Sequence, residues 1–171
     1  MRPLATGSAT ACGVKNGYDT PQQLGADRWA ALIGARALHA GPAVVVMAGT
    51  ATTIDALDAQ GLFRGGLILP GLALMRAALA RNTADLPHAA GHYRAQPTNT
   101  DDAIVSGAIH ATLGAIERIH ATLGEDALCL LSGGAAQELA PQLDLPFRLI
   151  DNLVLEGLAR YSVAATSGSQ A

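Results

Sequence analysis

Three short stretches combine glycine with hydroxyl or charged side chains in patterns that suit work on phosphates and protons. In Val44-Val45-Val46-Met47-Ala48-Gly49-Thr50-Ala51-Thr52-Thr53, an uncharged β-rich run ends in Gly-Thr. Glycine lets backbone approach an oxyanion closely, and successive N–H groups can converge on it. A plain turn between two strands has the same spelling. Leu131-Ser132-Gly133-Gly134 repeats the device, a strand running into a glycine pair and then a helix start, where backbone N–H groups and the helix dipole favour an anion. In Gly25-Ala26-Asp27-Arg28 a carboxylate stands beside a guanidinium at a helix start. That pair suits a general base with a substrate-holding cation next to it, and a helix cap with a surface arginine is the plainer alternative. Asn82-Thr83-Ala84-Asp85-Leu86-Pro87 and Asn99-Thr100 add loop-borne hydroxyls and amides that capping alone would explain.

Other chemistries find less support. The five histidines do not fall at metal-ligand spacing, and His110 and His120 lie ten residues apart on one helix. Ser132 has no G-x-S-x-G frame around it, so a hydrolase elbow is not indicated. Cys12 and Cys129 have no CxxC partner. Cys129, inside the apolar run Ala127–Leu131, reads as a small core residue.

These residues are positioned by interleaved strands and helices. Thr20-Pro21-Gln22-Gln23 reads as a cap followed by proline at the first helical position. Trp29, Leu32, Ile33, Arg36 and Ala37 keep helical rhythm over 26–39. Strands are predicted over 43–48, 52–57 and 61–69, a helix over 72–81, and a long helix over 101–123 closed by Gly124. A strand (127–131), a helix (135–139), a strand (147–150) and a helix (153–161) follow. Residues 1–17 have no clear period and read as a ragged N-terminal remnant, 18–161 as one α/β lobe with a mixed sheet, and 162–171 as a flexible tail.

Composition narrows the partners. Apolar residues are 50% of the chain, aromatics 4% and charged residues 15%, so the core is Ala, Leu, Ile and Val, with few rings to stack on bases. Net charge is −3 and no basic run occurs, which argues against nucleic acid. The start has no apolar signal core, and no apolar stretch is long enough to cross a bilayer. A cytoplasmic chain without nucleic-acid or membrane partners is the expectation.

As an ordered set, several segments resemble the type III pantothenate kinases and the related Bvg accessory factors. The matching pieces are Asn16-Gly17-Tyr18, Leu24-Gly25-Ala26-Asp27-Arg28-Trp29, Gly49-Thr50-Ala51-Thr52-Thr53-Ile54-Asp55 and Gly65-Gly66-Leu67-Ile68-Leu69-Pro70-Gly71. Thr83-Ala84-Asp85-Leu86-Pro87, Asn99-Thr100, Ser106-Gly107, Leu131-Ser132-Gly133-Gly134 and Asn152–Leu158 continue the series, which covers about residues 13 to 161.

The resemblance implies the actin-like, acetate-and-sugar-kinase (ribonuclease H-like) superfamily, with two similar lobes around an ATP cleft. It also implies transfer of the ATP γ-phosphate to pantothenate, the first step towards coenzyme A, by a homodimer using magnesium and a monovalent cation (potassium or ammonium). By the same resemblance, Asp27 is the catalytic base, and Tyr18, Gly25, Ala26, Arg28, Thr83 and Thr100 bind pantothenate. Gly49, Thr50, Ser132, Gly133 and Gly134 then meet ATP. Two departures stand out. No Asp-x-Gly-Asn-Thr loop precedes Tyr18, so the chain is expected to lack an N-terminal lobe. Met47 also stands two positions before Gly49, where an acidic residue linked with cation binding is expected, leaving Asp55 as the candidate metal ligand. A non-catalytic accessory protein that keeps the kinase fold is the alternative reading.

Overall fold

A computed structural model describes residues 9–82 and 91–167. Its strands are β1 (Thr10–Ala11), β2 (Val14–Asn16), β3 (Ala43–Ala48), β4 (Ala51–Leu57), β5 (Leu62–Pro70), β6 (Leu128–Ser132) and β7 (Phe147–Leu149). The helices are α1 (Ala26–Leu38), α2 (Leu72–Asn82), α3 (Thr100–Leu123), α4 (Ala136–Leu139) and α5 (Leu153–Ser167). One sheet runs in the order β1-β2-β5-β4-β3-β6-β7. Apart from the edge strand β1, only β4 runs against its neighbours, because β2 pairs in parallel with β5, β3, β6 and β7 pair in parallel, and β4 pairs antiparallel with both β3 and β5. This is the mixed α/β sheet that the alternation of apolar runs predicts.

Strand alternation divides the core into two layers. Val44, Val46 and Ala48 face Val105, Ile109 and Ile116 of α3, whereas Val45 and Leu57 face Trp29, Leu32 and Ile33 of α1. Close approach of α1 and α5 rests on glycine. A Cβ on Gly157 would lie 1.8 Å from the Ala30 carbonyl oxygen, and one on Gly34 would lie 2.5 Å from that of Leu153.

Two stretches differ from the sequence expectation. Residues 10–16, read as part of a ragged remnant, form a hairpin whose second strand pairs in parallel with β5 through Lys15↔Leu62 and Asn16↔Phe63. The last helix runs on to Ser167, past the expected end at 161. Ser162 and Thr166 donate their hydroxyls back to the carbonyls of Ala159 and Val163, so these polar residues are accommodated within the helix.

Topology sets the position of the site. β3, β5, β6 and β7 point the same way, α2 and α5 leave from their C-terminal ends, and α1 and α3 return to the starts of β3 and β6. The N-termini of four helices therefore lie towards one end of the sheet, where their positive dipole ends favour anions.

Candidate functional site

The turn after β3 and the turn after β6 lie side by side at that end, since Met47 pairs with Ser132 across the two strands. Gly133 holds them together. At φ +102 it has the left-handed backbone that favours glycine, and a Cβ there would come within 2.5–2.9 Å of the Ala48 backbone oxygen, carbon and nitrogen. The Ala135 N–H donates to the Ala48 carbonyl at 3.0 Å, fixing the start of α4 against the end of β3. Gly71 closes the other side. Its N–H donates to the Thr50 carbonyl at 2.8 Å, and a Cβ there would lie 2.1 Å from the Gly49 oxygen. Gly133→Ala is accordingly expected to destabilise the chain by about 1–3 kcal/mol through backbone overlap. The urea midpoint should fall at unchanged slope, and an unmoved midpoint would show that the turn can adjust.

The candidate phosphate residues occupy distinct places within this edge. Thr50 and Gly134 are exposed, and a Cβ on Gly134 would meet open space. The Gly49 N–H donates within its own turn, to Ala51 at 3.1 Å, so Gly49 offers close approach more than a donor. Ser132 is buried, and its Oγ accepts from the Leu153 N–H at 3.3 Å, which ties the start of α5 to the end of β6.

On the α1 face a second cluster forms around Arg28. Its Nη2 and Nε donate to the two carboxylate oxygens of Asp55 at 2.5 and 3.2 Å, a two-pronged pair with both partners buried. Nη1 donates to the Tyr18 hydroxyl at 2.7 Å, and the guanidinium lies 5.5 and 5.6 Å from the Tyr18 and Phe63 ring centres. Burial lowers the pKa of Arg28, but the bonds to Asp55 and Tyr18 outweigh it and hold the guanidinium above its ordinary value. Burial pushes the Asp55 carboxyl above the usual range, a shift that the Arg28 fork opposes and the Asp27 charge reinforces.

Tyr18 is placed by its neighbours. Asn16 accepts from the Tyr18 N–H at 3.0 Å through Oδ1 and donates to the Pro21 carbonyl at 3.2 Å through Nδ2. Gly17 seats against the Phe63 carbonyl, where a Cβ would come within 2.1 Å. Gly66 lies against Asp55 in the same way, with a Cβ position 2.1 Å from Oδ1. Beside Asp55 the register between β4 and β5 shifts by one residue, at Gly65 with φ +105. Asp27 is exposed in the first turn of α1, its Oδ1 accepting from the Arg28 N–H at 2.9 Å. Gly25, which precedes α1, leaves room for that carboxylate, and Ala26 beside it is exposed.

The structure thus brings together Tyr18, Gly25, Ala26, Asp27, Arg28 and Asp55. Thr100 stands exposed at the first residue of α3, on the opposite sheet face, where Asn99 caps the helix by accepting from the Asp102 N–H at 2.9 Å. Thr83 lies outside the described residues. Asn16, Phe63, Gly66 and Gly71 have structural parts in the site that spacing alone does not reveal. The only sequence signal for Asn16, Gly66 and Gly71 is membership of the quoted segments, and Phe63 has none. Cys129 is buried, its thiol pushed up to about 12 by burial, as expected of a core residue. Among the described residues no three His, Cys, Asp or Glu side chains group as a metal site, and no helix is long and apolar enough to cross a membrane.

Comparison with known proteins gives a consistent family. The sequence model of the type III pantothenate kinase family matches residues 1–122. The type III pantothenate kinase of Aromatoleum aromaticum is 61% identical over 154 residues, covering 89% of this chain and 64% of that protein. That of Azoarcus sp. is 57% identical, covering 92% of this chain and 60% of its own length. The chain therefore spans a little under two thirds of the length of these relatives. Among solved structures, a Baf family transcriptional activator from Campylobacter jejuni superposes with a TM-score of 0.65 at 26% identity, over 85% of this chain and 67% of that one. A 2-dehydro-3-deoxygalactonokinase from Sinorhizobium meliloti reaches 0.52 at 19% identity over 80% and 58%, a likeness of fold to a sugar kinase.

Proposed function

Since the chain belongs to the type III pantothenate kinase family, we propose that it carries much of the site at which such an enzyme transfers the ATP γ-phosphate to pantothenate. The observation that carries the reading is the pairing, at one sheet end, of an exposed carboxylate beside the Arg28 cluster with a glycine-built edge able to take phosphates. Phosphoryl transfer asks a protein chiefly for positioning and charge neutralisation. Asp27 accepts the proton of the attacking hydroxyl. Tyr18, Gly25 and Ala26 line the pantothenate side, with Thr83 and Thr100 reaching it near a subunit boundary. Arg28 shapes that pocket from a buried position, with three of its donors already given to Asp55 and Tyr18. Thr50 and Gly134 face the nucleotide most openly, with Gly49, Ser132 and Gly133 setting the shape of the edge. Magnesium arrives with the nucleotide phosphates, to which it binds in preference to all-protein cages. The reaction belongs in the cytoplasm, where coenzyme A synthesis starts.

A homodimer fits the same reading. An apolar groove of about 420 Å³ runs between α2 and α3, lined by Pro70, Leu74, Met75, Ile104, Gly107 and Ala108. Leu74, in that lining, is a large apolar side chain left exposed.

The test is ATP-dependent phosphorylation of pantothenate by this chain and by a form with the full length of its relatives, each also run in sedimentation. Turnover by the full-length form as a dimer is expected. Silence from a well-folded full-length form would sink the kinase reading, and a monomer would remove the dimer. That silence would leave the second reading, a non-catalytic regulatory protein, which the likeness to the Campylobacter jejuni activator favours.

A further inference from the structure

We infer that Asp55 and Tyr18 hold Arg28 as the built-in cation of this site, which makes Asp55 a positioning residue for the Asp27–Arg28 pair and not a ligand for a monovalent ion. The monovalent cation expected from the family resemblance would need hard oxygen donors at the β3–β4 edge. The donor set there does not fit. Both Asp55 oxygens accept from Arg28, and Gly66 backbone is seated against Oδ1, so little of the carboxylate is left for an ion. Opposite, on the same sheet face, Met47 pairs with Thr53. A thioether is soft, and the Thr53 hydroxyl, which has no partner among the described residues, is a single neutral oxygen. The rest of β3 is alanine and valine.

The guanidinium, in contrast, is firmly held. Asp55 takes two of its donors, Tyr18 takes a third, and the Tyr18 and Phe63 rings flank it. Because the Arg28 N–H is also the donor to the Asp27 carboxylate, anchoring the Arg28 side chain fixes the first turn of α1 and the direction in which Asp27 is presented. A planar fork suits this duty better than a spherical ion, since it sets orientation as well as charge.

The inference rests on the ion-pair geometry, and its test reads stability, so failure of the kinase reading would leave it standing. The chain is melted in potassium, ammonium, sodium and tetramethylammonium chloride at equal ionic strength. The expected result is one melting temperature in all four salts. Arg28→Ala is expected to melt lower and to gain a saturable stabilisation by potassium or ammonium over tetramethylammonium. Asp55→Asn in that background should abolish the gain. A saturable, potassium-selective rise in the unaltered chain that Asp55→Asn removes would overturn the inference. Should Arg28→Ala fail to fold, comparing the unaltered chain with Asp55→Asn decides it, because a cation bound at Asp55 must give a salt response that the amide lacks.

Discussion

Replacing Arg28 with alanine is expected to destabilise the chain by about 3–5 kcal/mol at neutral pH, the usual cost of leaving one partner of a buried ion pair alone. The Asp55 side chain has no solvent exposure, and its carboxylate would keep its charge without the fork that now satisfies both oxygens. The pH dependence follows from the direction of the carboxyl shift. Burial already holds Asp55 above its ordinary range with Arg28 opposing, so removing Arg28 leaves burial as the dominant influence and raises it further. A carboxyl whose folded pKa exceeds its unfolded value of about 3.9 contributes stability that is complete below that value. That contribution is lost as pH rises through the folded pKa. The deficit of Arg28→Ala should therefore be greatest at neutral and higher pH and should narrow in acid, where the orphaned carboxyl takes up a proton. Adding Asp55→Ala removes the stranded charge, so the double variant should be more stable at pH 7 than Arg28→Ala alone. Urea denaturation between pH 5 and 8 measures both effects. A pH-independent deficit, or costs that simply add, would show that the two side chains are not coupled in the fold.

The part of this arrangement that periodicity reveals is the framework. Uncharged valine runs mark β3, the i, i+3, i+4 rhythm of Trp29, Leu32 and Ile33 marks α1, and Asn99 with Asp101 and Asp102 marks the start of α3. These signals are local, so sequence holds them. The Arg28–Asp55 pair is not local, because its partners stand 27 residues apart on a helix and a strand. Read alone, Asp55 is a spare carboxylate beside a phosphate turn and thus a plausible metal ligand. Only the packing of α1 on β4 shows that its charge is already used. Ser132 is similar, since its neighbours Gly133 and Gly134 suggest a ligand edge, while the start of α5, 21 residues later, claims its hydroxyl. The β1–β2 hairpin was hidden for another reason. Its strands have two and three residues, too few to alternate, and its turn places Cys12 at φ 48, a conformation no sequence rule assigns to cysteine. Glycines 17, 66 and 71 look like loop residues, yet each marks a place where another backbone or a carboxylate passes too close for a Cβ.

Asp27→Asn is expected to lower kcat for pantothenate phosphorylation by about 10²–10⁴-fold in a form with the full length of the family, the usual span for losing a general base. The substitution isolates proton acceptance from structure. The carboxylate is exposed, and among the described residues its one hydrogen bond is accepted by Oδ1 from the Arg28 N–H. An asparagine carbonyl can accept the same bond in the same space beside Gly25. What it loses is negative charge near the positive end of α1, worth about 0.3–1 kcal/mol of stability. A mere helix cap would therefore predict a melting temperature slightly lowered and turnover nearly intact. A base predicts the reverse weighting, with KM for pantothenate little changed, because the amide fills the site as well but cannot take the hydroxyl proton. The Arg28 cluster sharpens the contrast, since damage there should lower stability first and turnover as a consequence. Asp27 is the position where the two can separate by orders of magnitude. If Asp27→Asn kept kcat within a few-fold while melting normally, the base would have to be sought elsewhere, and the exposed carboxylate beside Arg28 would be a cap and nothing more.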